Sequence, residues 1–230
     1  MRDKERLKSL RIALWDALAP RMKQHGLRGR RAHGDWHFEK RVPIGFATFD
    51  IYLILHSDDF DVTANVFVRF DAIEELAYRR IDFLTASEKT RGVTLGAEIG
   101  NLTVGRQLRW TVADESDIDP VARALEEQLV DVALPYVETH CDLETAYKLL
   151  SSDADEAATE CVGPYYFCAM EALAAALLLK KSSAELQELH RRKRAFLFQT
   201  DDIGLARFDE FVQSLADDGL LPGASRARKS

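Results

Sequence analysis

Hydrophobic residues along this chain change their spacing at a short polar stretch, residues 114–120. Before that stretch, apolar side chains mostly alternate with polar ones, most regularly over residues 45–56 and 60–70. After it, apolar side chains recur every three or four residues. A period of two is typical of β-strands with one buried face, and a period near 3.6 is typical of amphipathic helices. The pattern therefore predicts a sheet in the first half of the chain and helices in the second.

The elements within this pattern predict an α+β fold. A stripe of apolar residues over 7–22 predicts a first helix, and three alternating segments that end at residue 70 predict an antiparallel meander. Two further extended segments, near residues 93–99 and 108–112, bring the sheet to four or five strands with helices on one face. The basic, glycine-rich residues 29–34 are interpreted as a loop. We predict an α+β sheet domain over residues 1–151, a helical C-terminal unit packed on it over residues 152–222, and a disordered tail over residues 223–230.

The alternation also predicts which side chains of the sheet form its core. One parity of the second and third strands is apolar throughout, so we expect it to face the helices. Its members are Ala47, Phe49, Ile51, Leu53, Leu55, Val62, Ala64, Val66 and Val68.

The opposite parity mixes polar and aromatic side chains, and we name it the polar sheet face. Its candidate binding residues are His33, Asp35, His37, Asp50, Tyr52, Asn65 and Phe67. An even-length connection between the first two strands would place Asp35, Asp50 and Asn65 in one row. Aromatic rings among polar groups favour a recognition surface over plain solvent exposure. We therefore expect this face to bind a partner.

Two histidines with carboxylates beside them leave a second interpretation open. His33 and His37, together with Asp35 and Asp50, could bind a metal or a small ligand, or perform acid–base chemistry as part of an enzyme. The sequence contains neither a nucleophile elbow nor a zinc-protease helix motif. It therefore favours a non-enzymatic role, with no catalytic residues, no metal ligands and no cofactor.

Composition narrows the classes of partner. The chain is 47% hydrophobic and 30% charged, which is ordinary for a globular protein, and its net charge is −7. An acidic chain argues against nucleic acid and favours a basic protein partner. The basic run at residues 190–194 is interpreted as a solvated helix face. The longest apolar run, residues 172–179, is too short to span a bilayer, and the charged N-terminus lacks a signal-peptide pattern, so we expect a cytoplasmic protein without membrane contact.

The cysteines predict free thiols rather than a disulfide framework or a zinc site. Cys141, Cys161 and Cys168 are few and odd in number, unlike the dense even sets of small secreted domains. Zinc ligands usually come in pairs about two to four residues apart, whereas Cys161 and Cys168 are further apart and have Gly163 and Pro164 between them. We expect all three thiols to be reduced and unliganded.

Several segments carry a resemblance to a known family. They are residues 45–70, the pair Ile99 and Gly100, the pair Arg109 and Trp110 before the change of period, and residues 134–135 and 142–150. In these segments and in the order of its elements, the chain over residues 1–151 resembles a family of uncharacterised bacterial domains of unknown function. Some of those domains lie near polymorphic-toxin immunity genes, and the family supplies no catalytic residues. The resemblance implies an immunity-like protein-interaction module.

Overall fold

The computed structural model describes residues 2–32, 34–79, 81–153 and 160–221 and confirms the α+β class. The strands are β1 (Arg28–Ala32), β2 (Asp35–Val42), β3 (Gly45–Leu55), β4 (Phe60–Phe70), β5 (Leu95–Glu98) and β6 (Trp110–Val112). The helices before the last strand are α1 (Arg2–Gln24), α2 (Asp71–Tyr78), α3 (Ala86–Arg91) and α4 (Ile99–Thr103). Those after it are α5 (Ile118–Gln128), α6 (Leu134–His140), α7 (Leu143–Ser151), α8 (Tyr165–Leu178), α9 (Ser183–Thr200) and α10 (Asp202–Asp217). A π-helical segment (Leu129–Ala133) joins α5 to α6.

The sheet has six strands in the order β1-β2-β3-β4-β5, with β6 beside β4, so the predicted four or five strands were too few. The additional strand is β1, which lies in the segment interpreted as a loop. A Cβ on Gly29 would lie 2.7 Å from Cε1 of Phe38 and 2.9 Å from Cη2 of Trp15. Gly29 therefore allows aromatic side chains to approach the backbone closely inside a strand. The glycine-rich composition of residues 29–34 had instead suggested a loop.

The chain divides into two compact units. Unit 1 contains residues 1–68 and 96–141, and unit 2 contains residues 69–95 and 142–230. The bounds of these units differ from residue 151, and the sheet domain over residues 1–151 with a helical unit over residues 152–222 stays a prediction. The predicted disordered tail, residues 223–230, lies outside the described residues.

In unit 1, aromatic side chains hold α1 against the apolar face of the sheet. Trp15 of α1 stacks on Phe38 of β2 with ring centroids 5.2 Å apart, and meets Trp36 edge-on at 5.6 Å. Most of the predicted core is buried, namely Ala47, Phe49, Ile51, Val62, Ala64, Val66 and Val68. Leu53 is half-buried and Leu55 is 54% exposed, because the pairing of β2 with β3 ends at Ile51 and leaves the end of β3 without that neighbour.

In unit 2, the apolar helix α8 packs against α2, α7, α9 and α10. Its residues from Cys168 to Ala176 are all buried, as expected for a helix that is apolar on nearly every side. Helix α9 begins with the capping box of Ser182 and Glu185. The solvated-face interpretation of residues 190–194 was wrong for Lys193, which is 1% exposed. Its Nζ donates to the carbonyl of Ser152 and to a carboxylate oxygen of Asp153, and this pairing permits its burial.

The expectation for the cysteines was also wrong in part. Cys161 and Cys168 form a disulfide, while Cys141 is a free, half-buried thiol. The disulfide arises because Cys161 lies in an isolated β-bridge with Leu95, which brings it next to the first turn of α8. The spacing of the cysteines in the sequence does not predict the bridge between Cys161 and Leu95. In the described ranges, no helix is both long and apolar enough to cross a membrane.

Candidate functional site

A histidine and an aspartate form the centre of the polar sheet face. His37 of β2 lies directly across from Asp50 of β3, and His37 Nδ1 is 2.8 Å from Asp50 Oδ2. The predicted row had Asp35 across from Asp50, so that part of it was wrong. The predicted faces are correct, because Trp36 and Phe38 share the apolar face with Phe49.

The hydrogen bond between His37 and Asp50 determines which nitrogen of the imidazole carries the proton. An ionised carboxylate can only accept hydrogen bonds, so the short contact to Asp50 requires a proton on Nδ1 of His37. When the ring is neutral, Nε2 is then the acceptor nitrogen. The His37 side chain is 20% exposed and that of Asp50 is 9% exposed, so an approaching ligand reaches the imidazole more readily than the carboxylate.

Tyr52 lies beside both acidic groups of this face. It is the next residue after Asp50 on the same side of β3, and continuing the β2–β3 register places Asp35 across from it. Burial, together with the negative charges of Asp50 and Asp35, raises the pKa of the Tyr52 hydroxyl to about 12. The phenol therefore stays protonated and lies in a region of negative potential.

Strand β4 contributes Asn65 and Phe67 to the same face. Val66 lines one cavity with Ala47 and Phe49 of the apolar face, so its neighbours Asn65 and Phe67 must point to the polar face. Both are partly exposed. A Cβ on Gly96 of β5 would lie 2.1 Å from Cδ1 of Phe67, so the ring lies directly over that glycine. The remaining predicted residue, His33, lies outside the described residues.

Two further polar residues of this face were not predicted as site residues. Thr48 is 7% exposed, and its Oγ1 forms no hydrogen bond with any described residue. Glu98 accepts hydrogen bonds from the Thr63 hydroxyl at 3.1 Å and from the backbone N–H of Leu108 at 3.0 Å. The parity of β3 already pointed to Thr48, whereas Glu98 becomes part of the face only through the pairing of β4 with β5.

The most unusual atom of the face is Oδ1 of Asp50. It is buried and accepts no hydrogen bond from any residue that the structure describes. A buried carboxylate oxygen without a donor costs about 1–3 kcal/mol. Side-chain hydrogen bonds are likewise absent among the described residues for Asp35, Tyr52 and Asn65. The face thus keeps several polar atoms available to a partner.

Basic groups also lie on this face, along the edge strand β1. Arg28 is across from Glu39, and Arg30 is across from His37. Both arginines are exposed. The face is therefore acidic around Asp35 and Asp50 and basic along β1.

Unit 1 also contains an apolar cavity of about 270 Å³ that the sequence did not predict. It is lined by Phe49 and Val66 from the sheet, by Leu129 and Ala133 from the π-helical segment, and by Cys141. π-Helical turns are rare, and many occur at functional sites. A hydrophobic pattern cannot reveal one, because it is compatible with an ordinary helix. Burial raises the pKa of the Cys141 thiol, which therefore remains protonated and weakly nucleophilic.

A second group of unpredicted residues is a set of buried carboxylates in unit 2. Glu74 accepts a 2.7 Å hydrogen bond from the Thr94 hydroxyl, and Glu171 accepts a 2.6 Å hydrogen bond from the Tyr78 hydroxyl. Burial raises the pKa of Glu74 to about 7 and that of Glu171 well above its usual value. Glutamates inside apolar helical stretches were the only sequence signal, most clearly Glu171 in the run that forms α8.

Comparisons of this chain with family models, with curated proteins and with solved structures find no match. The chemistry of the sites themselves is therefore the basis for a proposed function.

Proposed function

We propose that this protein is a non-enzymatic interaction module that recognises another protein through the polar sheet face. The observation that carries the proposal is the partly exposed ring of Tyr52 beside Asp50, whose buried Oδ1 accepts no hydrogen bond from any described residue. Buried polar atoms are normally satisfied, so this carboxylate keeps a negative charge that a cation bound at the exposed ring beside it would offset. Phe67 on the same face provides apolar contact area.

The chemistry of this face selects a cationic side chain. A lysine or arginine of the partner brings donors and positive charge but no acceptor. At Tyr52 it would meet the carboxylates of Asp35 and Asp50 and could also stack on the aromatic ring. Arg28 and Arg30 would pair with an acidic group of the same partner. The proposed partner is therefore a protein with a basic centre and an acidic flank.

The resemblance to domains near immunity genes suggests a toxin as the class of partner. Under this proposal the chain is immunity-like, acts in the cytoplasm and blocks the toxin by binding it. Nucleic acid is not part of the proposal, because a net charge of −7 opposes contact with phosphates.

Site-specific photo-crosslinking in the native host would test the proposal. A photoreactive phenylalanine analogue at position 52 or 67 is expected to capture one defined protein. The matched control is position 198, because Phe198 of α9 is 68% exposed but belongs to unit 2. Capture of the same protein with equal yield at position 198, or no capture at positions 52 and 67, would contradict the proposal.

Binding kinetics with the captured partner would then separate the roles of charge and ring. Asp35→Asn is expected to slow association and to flatten its dependence on salt, because long-range attraction sets the encounter rate. Tyr52→Ala is expected to speed dissociation and to weaken binding by about 2 kcal/mol. Glu138→Gln is a suitable control, because Glu138 is an exposed carboxylate of α6 outside the face.

A second candidate function is favoured by the geometry of the His37–Asp50 pair. A carboxylate that holds Nδ1 leaves Nε2 able to accept a proton or to bind a ligand or a metal. Metal analysis of purified wild type and His37→Ala protein would test this candidate. Metal that is lost with His37→Ala but retained with Cys168→Ser would support it, whereas metal unaffected by His37→Ala would exclude a metal site there.

A further inference from the structure

Three potential metal ligands meet inside unit 2. Sγ of Cys161, Sγ of Cys168 and a carboxylate oxygen of Glu171 lie within 4.8 Å of one another. Cys168 and Glu171 are three residues apart on α8, so they share one face of that helix. Cys161 precedes the helix and reaches the same place through its bridge with Leu95.

The buried carboxylate of Glu171 requires either a nearby cation or a bound proton to offset its negative charge. Its side chain has no solvent exposure. The Tyr78 hydroxyl donates to Oε1 at 2.6 Å, while Oε2 is buried and has no hydrogen-bond donor among the described residues. An ionised carboxylate in such surroundings is costly unless it is paired or coordinates a metal. The hydrogen bond from Tyr78 also fixes the orientation of the carboxylate, as partners of metal ligands commonly do.

The two cysteines can exist in two oxidation states. In the structure they form a disulfide, which cannot act as a pair of thiolate ligands. After reduction, two thiolates and one carboxylate would face each other, and this donor set suits Zn²⁺. Gly163 lies between the cysteines with a positive φ of 96°, a backbone conformation that glycine adopts without strain.

We propose that the reduced form of Cys161 and Cys168 binds Zn²⁺ together with Glu171, and that disulfide formation releases the ion. In reduction, a dithiol donates two electrons and two protons to the S–S bond and itself becomes a disulfide. Zn²⁺ then displaces the two thiol protons as the Zn–S bonds form. In the reverse direction, a low-molecular-weight disulfide takes two electrons from the two thiolates and two protons from solvent and becomes two thiols, the Cys161–Cys168 bond forms again, and Zn²⁺ leaves.

Three protein ligands leave a fourth position of the tetrahedral ion for water or for an exogenous ligand. The site thus differs from closed structural zinc sites, which use four protein ligands. A reducing compartment would keep it in the metal-binding form. The inference does not depend on the function proposed for the polar sheet face.

Spectroscopic metal titration of the full chain would test this site. The protein is reduced anaerobically with a phosphine, freed of reductant and titrated with Co²⁺ as a coloured substitute for Zn²⁺. We expect one equivalent of Co²⁺ to bind with a thiolate-to-metal charge-transfer band in the near ultraviolet. Zn²⁺ should displace it, and oxidised glutathione should abolish the band and release the metal. No such band in the reduced protein would overturn the proposal and would assign the disulfide a structural role.

Three variants make the test specific. Cys168→Ser should remove most of the band, and Glu171→Gln should keep thiolate coordination but weaken metal affinity by about tenfold or more. Cys141→Ser is the matched control, because Cys141 is the free thiol of unit 1 and should leave the titration unchanged. Circular dichroism establishes that each variant is folded. A band that persists in Cys168→Ser, or disappears in Cys141→Ser, would overturn the assignment.

Discussion

Asp50 and His37 face each other across the β2–β3 ladder, and the aspartate is the more deeply buried of the two. The aspartate satisfies one carboxylate oxygen through His37 Nδ1 at 2.8 Å, while its other oxygen has no donor among the described residues. The pair therefore supports the fold and at the same time keeps a negative charge beside Tyr52 for a cationic partner. Its two roles can be separated, because unfolding reports on the first and binding on the second.

Replacing His37 with alanine should destabilise the protein by about 1–3 kcal/mol, because it removes the only described donor to a buried carboxylate. The control is His56→Ala: His56 lies 3.3 Å from Asp61, but its side chain is 44% exposed, so the loss should be below about 0.5 kcal/mol. The free energy of unfolding in urea measures both changes. Equal losses in the two variants would show that the His37–Asp50 pair has no special structural role.

The sequence predicted the faces of the sheet but not the pairing of individual residues. Alternation requires that Trp36 and Phe38 point to one side and His37 to the other, whatever the connection between the strands. The residue across from Asp50 depends instead on where the turn lies. The turn between β2 and β3 consists of Pro43 and Ile44. Pro43 is a typical turn residue and Ile44 is not, so the sequence indicated a turn near this position without fixing its length.

Other features depend on contacts between distant segments and could not be predicted from spacing. Cys161 and Cys168 meet because Cys161 pairs with Leu95, and no local pattern encodes that bridge. Strand β1 was not predicted because residues 29–34 have the glycine-rich composition of a loop. In the structure, Gly29 lacks a side chain where the ring of Trp15 packs against the strand. In each case a tertiary contact outweighed the local preference of the residues.

Alanine at position 29 should destabilise unit 1. Its methyl group would lie 2.7 Å from Phe38 and 2.9 Å from Trp15, so the ring stack between α1 and β2 would have to shift. Overpacking of this kind costs about 1–3 kcal/mol. Arg30→Ala on the same strand is the control, because Arg30 is exposed and points to the other face. Urea unfolding and the near-ultraviolet circular dichroism of tryptophan should both respond to Gly29→Ala alone.

Lys193 should be the one basic residue of the run at positions 190–194 whose loss is severe. Lys193→Ala removes a buried ammonium that donates to Ser152 and Asp153, and it also removes the packing of the aliphatic stem. We expect the free energy of unfolding to fall by about 2–3 kcal/mol, which is at or below the low end of the range for broken buried ion pairs. The loss is limited because Asp153 is 38% exposed and keeps its ion pair with Arg192.

Arg191→Ala is the matched control for this run. Arg191 is 69% exposed and pairs with Glu188 on its own helix, so its removal should change the unfolding free energy by less than about 0.5 kcal/mol. Thermal and urea unfolding of both variants would decide the matter. If Lys193→Ala is as mild as Arg191→Ala, the buried contacts of Lys193 contribute little to unit 2.

The stability of the protein should decrease as the pH rises from about 4.5 to about 7, because of Glu74. Burial raises the pKa of Glu74 to about 7 in the folded state, whereas in the unfolded chain the carboxyl group ionises near its usual value. Between these values the unfolded state loses its proton while the folded state keeps it. The folded state binds more protons in that interval, so each step to higher pH favours unfolding.

Glu74→Gln should remove this part of the pH dependence and stabilise the protein above pH 7. The amide oxygen can still accept the hydrogen bond from Thr94, while the cost of ionising a buried carboxyl disappears. A shift from 4.5 to about 7 corresponds to roughly 3 kcal/mol as an upper limit, and the lost contact with Arg69 reduces the gain. The measurement is the difference in unfolding free energy between variant and wild type at pH 5, 6, 7 and 8, a series chosen to bracket the shift.

The difference between variant and wild type isolates Glu74 from the other groups that face it. Asp71 raises its pKa, whereas Arg69 and the hydrogen bond from Thr94 lower it, and these groups are present in both proteins. Glu75→Gln provides the control, because Glu75 is exposed on the same helix and should give a difference near zero at every pH. A difference for Glu74→Gln that stays constant between pH 5 and pH 8 would show that the carboxyl does not titrate in this interval and would contradict the prediction.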